Sequence, residues 1–177
     1  MTAKTTLPSA LLTHLKSMMR MYKTLGEKAF AQVEDPQLFQ CSNENSNSIA
    51  ILAQHMSGNM KSRFTDFLSS DGEKVWRKRD EEFLEVLNSR AQMLATWEEG
   101  WSACLNTLDS LKPEDLMAVV TIREEEHFVF EAMNRQVAHY AYHVGQIIQL
   151  AKEYSTEWTS LSIPKNQSEN FRPKFKS

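Results

Sequence analysis

The chain has 177 residues, 24% of them charged and 41% hydrophobic, which suits one domain, residues 1–177, with a sizeable core. A formal net charge of -3 gives no general attraction for nucleic acid or an anionic membrane, and no basic stripe supplies a local one, so neither is an expected partner. No apolar run is long enough to span a bilayer, and MTAKTTLPSALLTHLK at the start lacks the apolar core of a secretory signal, so the expected compartment is the cytoplasm.

Pro8 stands where a first helical turn accepts it, and Leu11, Leu15, Met18, Tyr22, Leu25 and Ala29 follow at steps of four and three, which predicts a first helix. Asp35-Pro36 is expected to close it, because proline disfavours helical geometry at the residue before it. His14, beside the apolar stripe, is expected to be partly exposed. Cys41–Ser48, CSNENSNS, reads as a loop whose last residues cap a second helix. Ile51, Leu52, His55, Met56, Asn59, Met60, Phe64 and Phe67 give that helix a broad inward face. Cys41 and Cys104 have no metal-type spacing and predict no disulfide framework.

Ser69–Asn88 loses the periodicity: SSDGEK is a turn sequence and WRKRDEEF is dense in charge. A connection of that length is uncommon unless it crosses a bundle or covers a site. Trp76, Arg77, Arg79 and Asp80 either line a pocket there or form a solvated, salt-bridged loop anchored by Trp76. Ser89 and Gln92 fit a capping box, and Leu94, Trp97, Trp101, Leu105 and Leu108 stripe a third helix that Lys112-Pro113 ends. Ala118–Arg123 is β-branched enough for a short strand or hairpin. The acidic turn EEE then leads into the last helix.

That last helix contains Gln136–Ala151, QVAHYAYHVGQIIQLA, without a single Asp, Glu, Lys or Arg, so it is expected to be buried on most sides. Its polar groups then need partners inside the protein. His139 and His143, spaced i, i+4, stack on one side of the helix. Either they share a metal ion or they are hydrogen-bonded core residues. His55, mid-helix and inward, is the third candidate ligand; His127 lies too far along the chain from His139 to join. After Tyr154 the sequence predicts an extended, docked tail from about residue 155, ending in a basic, aromatic FRPKFKS that is expected to be disordered or, less simply, to bind a partner.

Three imidazoles favour zinc, nickel, copper or ferrous iron over magnesium or calcium, with zinc and nickel first, and they leave coordination positions open for water or substrate. Gln136, Gln146, Tyr142 and Asn59 are the expected supports for the histidine rings. No residue is an evident general base; Asp66 and Asp80 are candidates, with ordinary surface roles as the alternative. Arg135 either neutralises a substrate carboxylate or pairs with Glu131.

QHMSGNM, SSDGEKVWRKRDEEF, RQVAHYAYHVGQI and the tail LSIPKNQS together resemble the DinB-like superfamily, closest to an uncharacterised bacterial family within it, over residues 47–168. The resemblance implies an all-α four-helix bundle of up-down-down-up connectivity, a divalent metal on His55, His139 and His143, and frequently a homodimer. It also implies kinship with thiol-dependent transferases and isomerases that use bacillithiol, mycothiol or glutathione. The expected function is thus a metal-dependent enzyme that activates a low-molecular-weight thiol or water against a small electrophile. The alternative is a non-catalytic metal-binding or stress-related interaction protein. One departure is Asn166, where the related tail motif usually has glycine; asparagine also tolerates positive φ.

Overall fold

The structure is a computed structural model that describes residues 5–169; the segment 171–177, FRPKFKS, lies outside the described residues. It is mostly helical. Four long helices, α1 (Leu7–Phe30), α3 (Ile49–Phe64), α4 (Arg90–Ser110) and α5 (Val129–Tyr154), carry the core, and α2 (Asp35–Leu38) is a single turn. Two 3-10 turns, Arg79–Phe83 and Pro113–Met117, and one antiparallel hairpin, β1 (Val119–Ile122) with β2 (Glu125–Phe128), complete the described elements. Among the described residues no helix is long and apolar enough to cross a membrane.

The helix boundaries follow from local chemistry. Thr6 and Ser9 cap α1 reciprocally, with Pro8 in the first turn, where its missing N–H costs nothing. Ser48 Oγ accepts from Ile51 N at the start of α3, and Ser89 Oγ accepts from Gln92 N at the start of α4. The expected box at Ser89 is only half made, because Gln92 Oε1 takes the N–H of Asn88 instead. Asp35-Pro36 does not close α1, which already ends at Phe30. Pro36 instead sits in the first turn of α2, the same first-turn preference seen at Pro8.

The long helices touch in a closed order, α1 to α5, α5 to α3, α3 to α4, and α4 back to α1. Their directions can be read from the side chains that meet. Lys61 pairs with Glu99 and Thr107 Oγ1 donates to the Phe64 carbonyl, so α3 and α4 run parallel. Arg20 meets Asp109 and Lys23 meets Glu98, so α1 opposes α4. Tyr140 donates to Asn59 while His143 lies against His55, so α5 opposes α3. Two of these seams need glycine: a Cβ on Gly100 would come within 2.5 Å of Ser57 Cα, and one on Gly26 within 2.7 Å of the Trp97 ring.

The core is a chain of aromatic edges. Phe30 meets Trp97 at 4.9 Å between ring centroids, Trp97 meets Trp101 at 5.5 Å and Trp101 meets Tyr140 at 5.7 Å, each near edge-to-face. This arrangement suits the ring quadrupoles. Methionines fill the spaces between, with Met19, Met56, Met60 and Met93 fully buried, as their flexible chains allow.

The polar face of α5 departs from expectation. Tyr142, Gly145, Gln146 and Gln149 are exposed, so the uncharged stretch is buried along the stripe Gln136, Tyr140, His143, Val144, Ile147 and Ala151 and open on the opposite side. The hairpin is present as expected, but Glu125 and Glu126 belong to β2; the turn residues are Arg123 and Glu124, both at positive φ, 56° and 66°. Residues 155–169 are non-helical, and Trp158 and Leu161 pack on the core. Asn166 has φ 64°, the conformation that glycine would supply.

Candidate metal centre

α3 and α5 bring His55, His139 and His143 to one point: a ligating nitrogen from each lies within 4.8 Å of the other two. Ring centroids are 5.5 Å apart for His55 and His139, 4.9 Å for His55 and His143, and 4.8 Å for His139 and His143. His55 and His143 are buried and His139 is half-buried. The cluster follows from helical periodicity, since i, i+4 spacing on α5 stacks two rings while the antiparallel α3 delivers the third from across the seam.

Two of the rings are held in one tautomer. His55 Nδ1–H donates to Glu82 Oε2 at 2.8 Å, and His143 Nδ1–H donates to Gln146 Oε1 at 2.9 Å. In the neutral ring that tautomer leaves a lone pair on Nε2. His143 Nε2 and His139 Nε2 face each other at 3.1 Å. Ligands at the usual metal–nitrogen distance of about 2.0–2.1 Å sit about 2.9–3.4 Å apart at neighbouring coordination positions, so the spacing fits one edge of a transition-ion site. A carboxylate behind one ligating histidine is also the usual support of such sites. The donor set therefore fits a divalent ion, and the three histidines could hold one.

Electrostatics keep the nitrogens available. Burial, then the neighbouring imidazoles of His143 and His55 and the charges of Arg63 and Arg77, push His139 down to about 3. Burial pushes His143 down to about 4, with the bond to Gln146 acting the other way. Both rings are neutral near pH 7, the form a metal requires. Burial by itself raises Glu82, but hydrogen bonds from His55 and Arg77 outweigh it and hold the carboxyl below its usual range.

Glu82 was not among the supports expected from sequence. It comes from the 3-10 turn Arg79–Phe83 and is clasped by Arg77, whose Nε reaches Oε1 at 2.7 Å and whose Nη2 reaches Oε2 at 2.9 Å. Gly58, one turn along α3 from His55, makes room for it: a Cβ there would lie 2.3 Å from Glu82 Oε1. Of the expected supports, Gln146 bonds a histidine, Asn59 accepts from Tyr140 instead, Tyr142 lies against His143 at 4.1 Å between centroids, and Gln136 Oε1 is buried without a partner.

A cavity of about 390 Å³ opens onto His55 and His139. Arg77, Arg79 and Arg135 line it, whereas Trp76 and Asp80 do not and are exposed. Asp66 lies on an exposed turn at φ 48°. Arg135 does not pair with Glu131, whose Oε2 caps the Phe128 N–H. No carboxylate lines the cavity among the described residues. His14 is exposed and His127 lies on β2, outside the cluster.

No curated protein matches the chain. A family model described as "Protein of unknown function (DUF1572)" matches residues 7–167, nearly the whole chain, and the protein belongs to that family.

Proposed function

We propose that the chain is a metal-dependent enzyme of the DinB-like kind, an up-down-down-up four-helix bundle in which His55, His139 and His143 hold one divalent ion, zinc or nickel first among candidates. The bundle reading is supported by the parallel α3–α4 pair and the two antiparallel seams around it. The observation that carries the metal reading is the meeting of three ring nitrogens within 4.8 Å, two of them on residues that line a cavity. When bound, such an ion lowers the pKa of a coordinated water or thiol and so makes a nucleophile near neutral pH.

The protein's own contribution is orientation. Glu82 and Gln146 hold His55 and His143 with Nε2 unprotonated, and Arg77 keeps Glu82 ionised in its buried place. The α5 backbone fixes His139 relative to His143. Cavity walls on α3, α5 and the 69–88 connection leave His55 and His139 open on one side, so that a thiol or water can meet a small electrophile there. A second reading, metal binding without catalysis, is favoured by the cavity lining, in which none of the described residues is a carboxylate placed as general base.

Elemental analysis of untagged protein is expected to find about one divalent ion per chain, and less than a tenth of that in His139→Ala. A wild-type protein that holds no ion and takes none up ends the proposal. Turnover of a model electrophile with bacillithiol, mycothiol or glutathione then separates the catalytic reading from the binding one.

A further inference from the structure

The cavity above the histidines has an excess of positive charge that the metal reading does not use. Arg63, Arg77, Arg79, Arg123 and Arg135 all line it. Two carboxylates answer them from behind the wall. Glu73 accepts from Arg63 and Arg123 and lies 3.5 Å from Arg77, and Glu82 is clasped by Arg77 and shared with His55. Arg79 has only a 3.7 Å approach to the fully exposed Asp80, and Arg135 has no ion pair among the described residues. Five guanidinium groups around one small cavity, against two carboxylates already engaged, leave a net positive charge there that an anionic group on a ligand would neutralise.

Two buried polar atoms beside the cavity also lack partners, one a donor and one an acceptor. Arg63 Nε and Gln136 Oε1 are buried without a hydrogen-bond partner, and both residues line the cavity. Natural structures seldom leave such atoms unmet without a functional reason. Guanidinium forks match the oxygen spacing of phosphoryl and carboxylate groups. A dication on the histidines adds to the positive charge and so strengthens the demand for an anion.

We infer that the substrate of this site is a small molecule bearing a phosphoryl or carboxylate group, which the arginines of α3, α5 and the 69–88 connection hold beside the three histidines. The inference rests on the metal-dependent reading for its role in catalysis, although the anion site itself stands on the arginines alone. A volume of about 390 Å³ admits a small metabolite and little more. Arg79 and Arg135, the two without a close carboxylate, are the positions from which the ligand takes most of its charge neutralisation.

Calorimetric titration of the full chain with inorganic phosphate, and separately with succinate, tests this on chelator-treated and on zinc-loaded protein. Saturable binding of at least one anion is expected in at least one form, weakened about tenfold by Arg135→Gln and by Arg79→Gln. Both variants should keep the wild-type melting temperature, since both side chains are largely outside the core. Tighter phosphate assigns a phosphoryl ligand and tighter succinate a carboxylate one. No saturable binding of either anion, or binding that both variants leave unchanged, overturns the inference. Arginine-dependent anion binding by a protein that takes up no zinc, nickel, copper or ferrous iron leaves the anion site standing and removes the metal reading; metal uptake without anion binding does the reverse.

Discussion

Glu82 sets the tautomer of His55, and its environment leaves it little choice but to stay ionised between His55 and Arg77. Glu82→Gln keeps an acceptor and loses the charge, so the imidazole is a weaker donor and Arg77 loses half of its clasp. Metal affinity is expected to fall about 10- to 100-fold with the fold retained, as read by competition with a chromophoric chelator. Gly58→Ala should produce a comparable loss by a different route, since its methyl group occupies the place of the Glu82 carboxylate. Wild-type affinity in both variants would separate Glu82 from the site altogether. The histidines were legible in the sequence because helical spacing and burial are periodic properties. Glu82 was not, because it stands in RKRDEEF among five other charged residues, and nothing local marks which carboxylate turns inward.

Among the elements, the helices were legible from apolar spacing and caps, while the hairpin turn was not. Arg123 and Glu124 both hold positive φ without being glycine or asparagine, a strained choice for a two-residue turn. The stabilising partner lies far away in sequence: Asp71 Oδ1 accepts from the Arg123 N–H at 2.9 Å and Oδ2 from the Glu124 N–H at 2.8 Å. Burial raises the Asp71 carboxyl, but the backbone bonds from Glu124, Glu73 and Arg123 outweigh it and lower the group from 3.8 to about 2. A depressed carboxylate stabilises the folded state fully above its unfolded pKa and loses that contribution as pH falls through its folded one. The melting-temperature gap between wild type and Asp71→Asn is therefore expected to be constant above about pH 4–5 and to shrink between roughly pH 4 and 2. A gap unchanged down to pH 2 would mean that the carboxylate charge does not hold the turn.

At the scale of the whole molecule, the seam between α3 and α5 differs from the others. Aromatic and methionine packing joins α4 to its neighbours, but where α5 crosses α3 the meeting groups are His55, Asn59, Tyr140 and His143. These polar groups have partners without any ion, through Glu82, Gln146 and the Asn59–Tyr140 bond, so the metal-free chain is expected to fold and melt cooperatively. An ion bound only to the native state then adds stability by mass action, about 4 kcal/mol at a thousandfold excess over its dissociation constant. For a chain of this size that corresponds to a rise of roughly 8–16 °C in melting temperature. Zinc titrated into chelator-treated protein should give this rise, and His139→Ala should show almost none of it while keeping a similar metal-free melting temperature. A metal-free protein without a cooperative transition would make the ion a folding element, like that of a small zinc domain. A wild-type melting temperature indifferent to zinc, nickel, copper and ferrous iron would mean that the three rings meet for packing alone.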